Sequence, residues 1–427
     1  MAKTKIIRAT TIPLSLKVFC EGMLKELAEK YEVVAVSSPG EDLELVRNRE
    51  GVRAVEVPME RHISLLKDLK SLMALIKVFR KEKPYMVHSM TPKAGLLCMI
   101  AAWLTRVPVR LHTFTGLVWP TATGIQRMIL KMTDRITCFC ATNVIPEGQG
   151  VLNDLRNGGI TNKPMKVLGY GNVRGVDMKY FCKRESVVVE AEKIRQDDKF
   201  TFVFVGRIVR DKGINELVAA FKRLVEKHPE ARLLLVGPYE NDLDPVTPET
   251  SEAIDTIANI EAVGPKFGED LLPYYAASDC FVFPSYREGF PNTVMEAGAF
   301  DLPSIVTDIN GSREIVVNLN ANLNLNANLN LNANFNFNFN VNPNDNLNPN
   351  LKPNVNDKGN VRICDNGIII PSKNVEAIYE AMKLMIEDGE MRERMAGVAR
   401  KMINDRFEKG FVRKCLYDYY DTILNKD

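Results

Sequence analysis

The chain has only two tryptophans and four histidines in 427 residues, and its eight cysteines stand scattered at 20, 98, 138, 140, 182, 280, 364 and 415. Only Cys138 and Cys140 lie close together, and no second pair completes a zinc set. Thiols inside apolar runs such as ITCFCAT and DCFVF read as buried free cysteines in a reducing compartment, which excludes a disulfide framework. The amino-terminal MAKTKIIRATTIPLSL lacks the continuous apolar stretch of a secretory signal. Leu96–Leu104 (LLCMIAAWL) is far too short to cross a bilayer. These absences together predict a cytoplasmic protein whose contact with the inner face of the membrane is at most peripheral.

What is present is a soluble enzyme's composition, 45% hydrophobic and 26% charged. The length exceeds one ordinary core, so two domains are expected. The net charge of +2 hides an asymmetry: residues 1–180 hold 27 Lys and Arg against 16 Asp and Glu, and the remainder 29 against 38. A basic first half points to an anionic partner, whether nucleic acid, a phosphorylated small molecule or an anionic membrane face. No basic–aromatic motif supports nucleic acid.

In residues 1–180 short apolar runs alternate with amphipathic stretches. Strands are predicted at Lys5–Ala9, Glu32–Ser37, Arg53–Val57, Met86–Ser89, Val109–Thr113 and Ile136–Cys140, with helices at Leu65–Lys83 and Lys93–Thr105. Such alternation builds a parallel sheet covered on both faces. Glycines cluster in GYGNVRGVD (169–177), which reads as a linker. A second α/β unit follows, with strands at Phe200–Val205, Arg232–Val236, Cys280–Pro284 and Ser304–Thr307. Helices are expected at Ile214–Lys227, Glu269–Ala277 and Asn292–Phe300, with a helical end over Val375–Ile423.

From Asn318 to Asn350 every even-numbered residue is Asn. The period of two is that of a strand, yet Asn is depleted from strands and Pro343, Pro349 and Pro353 break continuity. The tract reads as a low-complexity expansion without chemistry of its own, and joining Val317 to Asp365 should leave the fold intact.

Chemistry concentrates in two loops. FVFPSYREGFPNTVMEAG (281–298) is a buried strand, a loop and a helix start at Pro291–Asn292–Thr293. A helix beginning at the carboxyl end of a parallel strand aims free N–H groups into the ligand crevice, a ready phosphate site. Glu288 in the loop and Glu296 in the first helical turn suit sugar and ribose hydroxyls. GRIVRDKG (206–213) follows another strand, and Arg207 and Lys212 can converge on one pyrophosphate.

These residues carry a resemblance. GRIVRDKG, the Glu288/Glu296 spacing within EGFPNTVMEA, the linker GNVRGVD and LPSIVTDINGSREIV resemble the retaining glycosyltransferases of family 4. VHSMTPKAG, RLHTFTGLVWPT and TNVIPEGQGV resemble, more narrowly, enzymes that extend lipid-linked oligosaccharides for bacterial surface glycans. The resemblance implies a GT-B fold: two doubly wound Rossmann-like domains facing a cleft, one over 1–178 for the acceptor and one over 179–405 for the nucleotide sugar. An Asn-rich insertion would occupy 317–364 of the second, and a last helix over 406–427 would return to the first.

It also implies roles. Gly206, Arg207 and Lys212 would hold the donor pyrophosphate, Glu296 the donor ribose, and Glu288 would face the transferred sugar, with Phe290, Asn292 and Thr293 as loop contacts. His112 would be the mechanistic residue of the first domain, with Thr115 the alternative at that place. The implied reaction retains configuration and needs neither metal nor cofactor. Its partners would be a nucleotide-sugar donor, with UDP the default, and a glycan acceptor carried on polyprenyl diphosphate. Two departures stand out: Thr10–Ser15 replaces the Gly-Gly turn of many members, and the Asn tract interrupts the donor lobe. His88 and His112 end strands, whereas His62 and His228 read as surface residues. Asp242 and Asp244 lie in a Pro/Glu-rich loop that reads as solvated. An epimerase using the same donor lobe, or a silent nucleotide-sugar-binding subunit, are the alternatives.

Overall fold

A computed structural model of the chain describes residues 3–60, 64–240, 244–318, 357–358 and 361–424. His62, Asp242 and nearly all of the Asn-rich tract lie outside the described residues. The chain divides into two compact units, one of Met1–Tyr180, Arg287–Asn292 and Asn404–Asp427, the other of Phe181–Tyr286 and Thr293–Ile403.

The first unit holds a parallel sheet of β1 (Lys5–Ala9), β2 (Glu32–Ser37), β3 (Arg53–Glu56), β4 (Met86–Met90), β5 (Val109–Phe114) and β6 (Asn143–Pro146), in the order β3-β2-β1-β4-β5-β6. Its helices are α1 (Pro13–Phe19), α2 (Met23–Lys30), α3 (Glu41–Glu50), α4 (Leu65–Glu82), α5 (Pro92–Leu104), α6 (Gly124–Cys140) and α7 (Gln149–Asn157). The period-two alternation of the strands splits the core. Ile7, Val34, Val36 and Val87 bury against Leu75 and Phe79 of α4, the small residues of α5, and Val151 of α7. Ile6, Val33, Ala35 and Leu111 bury against Leu16, Leu24, Leu27 and Leu43 of α1–α3, with Leu416 and Tyr420 from the last helix. Both faces of a parallel sheet must be covered, and here both are.

One expectation fails in this unit. Ile136–Cys140 is not a strand but the end of α6, and the strand is the next short run, Asn143–Pro146. A brief β-branched and aromatic run does not distinguish a strand from the end of a helix. Cys138 and Cys140 are consequently buried helical thiols, pushed upward in pKa by that burial, Cys138 to about 12. All eight cysteines are free.

The second unit is built on β7 (Phe200–Val205), β8 (Ala231–Val236), β9 (Ile260–Gly264), β10 (Cys280–Phe283), β11 (Ser304–Thr307), β12 (Asp357–Lys358), β13 (Val361–Cys364) and β14 (Gly367–Ile370), in the order β12-β13-β14-β11-β10-β7-β8-β9. All pairs are parallel except those of β13, which are antiparallel. Its helices are α8 (Glu185–Ile194), α9 (Ile214–Val225), α10 (Pro248–Thr256), α11 (Leu272–Ala276), α12 (Asn292–Ala299), α13 (Ser312–Ile315) and α14 (Val375–Glu387). Two more, α15 (Gly389–Phe407) and α16 (Lys409–Leu424), complete the chain, and α16 belongs to the first unit.

The interval 317–364, read as insertion throughout, contains β13. Val361 and Cys364 are buried, and β13 turns through Asp365 and Asn366 to pair with β14. The two sides of the tract also meet. The Asp365 N–H donates to the Val317 carbonyl at 3.2 Å, and the Asn366 side chain accepts from the Val317 N–H and donates to the Ile315 carbonyl, each at 2.9 Å.

The glycine-rich linker is tied down in the first unit. The Val176 N–H donates to the Phe407 carbonyl at 2.8 Å, and the Lys409 N–H to the Val176 carbonyl at 2.9 Å. Gly175 has φ 70°, and a Cβ there would lie 2.6 Å from the Lys409 Cα, so glycine alone fits.

Candidate active site

In the second unit the sheet reverses its direction of winding between β7 and β10. From β7 the chain runs outward to β8 and β9, and from β10 it runs the other way to β11 and β14. Connections leaving the central pair in opposite directions open a crevice at the strands' carboxyl ends. Both predicted loops stand there.

Gly206 follows β7, residues Arg210–Lys212 form one tight helical turn, and Gly213 adopts φ 74°. A Cβ on Gly213 would collide with the Pro284 carbonyl, so this glycine lets the β7 loop close against the end of β10. The Tyr286 N–H donates to the Asp211 carbonyl at 2.9 Å and the Ser285 hydroxyl to the same oxygen at 3.4 Å. The Tyr286 phenol donates to Glu216, 2.6 Å from each carboxylate oxygen. Burial, followed by that carboxylate, raises its pKa. These bonds fix the spacing of the two loops before any ligand arrives.

The Lys212 ammonium lies 5.2 Å from the centroid of Phe283, the last residue of β10. Arg207 is exposed and ion-paired with Glu240. Asp244 is not merely solvated: it accepts from the Asp211 N–H at 2.6 Å and pairs with Arg210 at 2.9 Å, bracing the same loop.

Glu296, the fifth residue of α12, lies in its second turn rather than the first. It is buried and accepts a hydrogen bond from the Tyr275 hydroxyl at 3.2 Å. A carboxylate there is too far along to serve simply as a complement to the helix dipole. Thr293 in the first turn is half-buried.

Glu288, Phe290 and Asn292 belong by packing to the first unit. The backbone of Gly289 rests on Thr115 and Gly116, where side chains would collide; Gly116 has φ 123°. The buried Phe290 ring meets Phe407 edge-on at 5.3 Å. The Asn172 amide donates to the Asn292 side-chain oxygen at 3.1 Å. Glu288 is half-exposed. The predicted residues thus divide: Gly206, Arg207, Lys212, Thr293 and Glu296 in the second unit, and Glu288, Phe290, Asn292 and His112 in the first.

The first unit has its own switch point, between β1 and β4. There the Thr11 N–H donates to the Thr91 hydroxyl at 3.1 Å, the two hydroxyls lie 2.8 Å apart, and the Thr11 hydroxyl accepts from the Ala94 N–H at 3.1 Å. Side chains therefore close the turn that lacks the Gly-Gly pair. His112 is fully buried in β5, bonded through Nδ1 to the Ser89 hydroxyl at 2.9 Å and set edge-on against Phe114. Burial drives its pKa down to about 3, so the ring is neutral near pH 7. It borders a cleft shared with Thr115, Gly116, Trp119, Thr133 and Asp134. Burial pushes the Asp134 carboxyl up to about 7.

His88 is buried within β4 rather than at its end. Its Nδ1 contacts Arg8 and lies 2.5 Å from the Tyr420 hydroxyl, and its Nε2 lies 2.7 Å from that of Thr113. Burial first, and the Arg8 charge second, hold it well below the ordinary histidine range. The sequence reading missed Thr11, Thr91, Arg8 and Asp134. The one available signal was an arginine inside the apolar run KIIRA, where a buried charge needs partners.

Residues 16–171 fit the "Glycosyl transferase 4-like domain" and residues 189–333 the "Glycosyl transferases group 1" model. The capsular polysaccharide biosynthesis glycosyltransferase CapM of Staphylococcus aureus is 30% identical over the whole chain and 99% of its own length. The chain belongs to the group 1, family 4-like glycosyltransferases. A UDP-Gal:alpha-D-GlcNAc-diphosphoundecaprenol alpha-1,3-galactosyltransferase of Escherichia coli is 30% identical over 74% of the chain and 82% of its own length. The crystal structure of Anabaena HepE with UDP superposes with a TM-score of 0.72 at 14% identity, covering 98% of this chain and all of that one. That likeness bears on the fold, which is GT-B. The chain is a glycosyltransferase.

Proposed function

We propose that this glycosyltransferase moves a sugar, with retention and without a catalytic metal, from a UDP-sugar to a polyprenyl-diphosphate-linked glycan in bacterial surface polysaccharide assembly. The observation that carries the donor site is the pre-tied pair of loops at the β7/β10 switch point, joined by Tyr286 and Ser285 on the Asp211 carbonyl. Arg207, once released from Glu240, and Lys212 then neutralise the pyrophosphate, with Gly206 leaving the strand end open. Glu296 takes the ribose hydroxyls, the N–H groups at Asn292 and Thr293 face phosphate oxygens, Glu288 meets the sugar, and Phe290 fixes that loop. The leaving phosphate accepts the acceptor hydroxyl's proton on the same face, so catalysis is mainly electrostatic. His112, neutral and buried, serves as a hydrogen-bonding residue at the acceptor cleft and not as a base. The lipid-linked acceptor follows the E. coli relative, whose name specifies UDP-Gal and a diphosphoundecaprenol acceptor, and agrees with the basic first half.

The test is to offer the pure protein a panel of nucleotide sugars with a short-chain prenyl-diphosphate glycan and to follow product mass and anomeric configuration. Transfer from a UDP-sugar with retention supports the reading. Inversion, or turnover only without an acceptor, overturns it.

A further inference from the structure

Helix α6 carries an apolar face that its own fold does not use. Its buried side consists of Asp134, Thr137, Cys138 and Cys140. Ile125, Met128, Ile129, Met132, Ile136 and Phe139 are all exposed, Ile125, Met128 and Phe139 by 72%, 63% and 69%. At roughly 100° per residue these six fall within an arc of about 100° directed away from the core. Exposed Trp103, at the end of α5, continues the face, its ring 6.2 Å from that of Phe139. Lys163 fixes the end of the stripe by donating to the carbonyls of Cys138, Phe139 and Ala141. Monomeric proteins rarely leave so continuous an apolar surface uncovered.

The surrounding charge names the occupant. Helix α6 itself carries three basic residues, Arg127, Lys131 and Arg135, and one acid, Asp134, which is buried with its carboxyl pushed up to about 7. Arg127, Lys131 and Arg135 run along one flank of the stripe at four-residue spacing. A second copy docked two-fold on this face would bring like-charged flanks together, whereas anionic headgroups satisfy the cations while acyl chains take the apolar residues. Tryptophan at the margin suits a membrane interface.

We infer that α6 is the surface by which the enzyme lies on an anionic bilayer. The inference rests on the proposal of a lipid-linked acceptor and deepens it. The inner side of α6 supplies Leu130, Thr133 and Asp134 to the cleft of His112 and Thr115, so docking α6 brings that cleft to the surface where such an acceptor emerges. Helix α4, also basic and amphipathic, buries Ser71, Leu75, Phe79 and Glu82 in the fold. Its exposed Leu65, Leu66, Leu69 and Met73 form a shorter patch confined to the first half of the helix.

The test uses the whole protein with vesicles of phosphatidylcholine alone and with added phosphatidylglycerol. Sedimentation with the anionic vesicles, falling as salt rises, is expected. Replacing Ile125, Met128 and Met132 by Ser should reduce partitioning at least tenfold while leaving melting temperature and UDP binding unchanged, since the three are exposed. Arg127→Glu with Lys131→Glu should act on anionic vesicles alone. Undiminished partitioning of the Ser variant, or light scattering that shows a dimer which this variant disperses, overturns the inference. Vesicle binding retained by a protein that transfers only to soluble acceptors would overturn the acceptor proposal and leave the docking surface standing.

Discussion

Replacing residues 319–356 by a linker of six Gly and Ser residues should leave the second unit folded and slightly more stable. The chain enters the tract beside its exit, because Val317 and Asp365 share a backbone hydrogen bond and Asn366 clamps both sides. The linker must only reach back along β13, four residues or about 13 Å at strand rise, which six residues span easily. If the tract contributes chain length alone, shortening the connection about sixfold recovers ~1.6 kcal/mol, at roughly 0.6 kcal/mol per halving. For a unit of this size that raises the melting transition by roughly 3–7 °C. Joining Val317 directly to Asp365 is a harsher change than the sequence suggests, because it removes β13. Losing the burial of Val361 alone forfeits about 1.5–3 kcal/mol, and β14 gains an open edge. Differential scanning calorimetry with and without UDP separates the two designs. The reasoning is refuted if the linker variant melts several degrees lower than the natural protein, or if the direct junction proves the more stable.

Arg207→Ala or Lys212→Ala should each weaken UDP binding by about 1.5–3 kcal/mol, the range for hydrogen bonds to charged groups, and unchanged calorimetric affinity in both would remove them from the donor site. Transfer should persist in excess EDTA; loss restored by Mg²⁺ would redirect attention to the loop of Asp242 and Asp244. Gly213→Ala should destabilise by more than the ~1–2 kcal/mol of a left-handed conformation alone, because the added Cβ also meets the Pro284 carbonyl, and it should lower UDP affinity together with stability. The pH dependence of stability has a defined sign. His112 and His88 are depressed when folded, so below about pH 6.5 each costs ~1.4 kcal/mol per pH unit as the unfolded chain takes the proton first. Asp134, raised when folded, acts oppositely between about pH 7 and 4. Asp134→Asn should therefore lose ~2 kcal/mol more than the natural protein between pH 6.5 and 5, measured by urea unfolding; equal slopes would refute this assignment.

What the sequence makes legible here is whatever a period or a short motif expresses. β1, β2, β7 and β11 are apolar runs bounded by turns, and the structure places them at their predicted residues. GRIVRDKG and EGFPNT are motifs because their chemistry needs fixed residue types at a strand end. β9 was missed because IEAVG is an edge strand with little burial to impose a pattern. β6 was missed because its four residues compete with the stronger apolar signal of the preceding helix. The assignment of Glu288, Phe290 and Asn292 to the first unit has no local sequence signature, since it rests on distant contacts, Phe290 with Phe407 and Asn292 with Asn172, and on Gly289 and Gly116 approaching backbone to backbone. Glycine marks such places by having no side chain, and a single sequence does not say which of 26 glycines does so. The same limit applies to α6, whose apolar residues satisfy any pattern for a buried helix. Only the positions of its neighbours show that this face looks outward, so the feature that bears most on where the enzyme works becomes visible last.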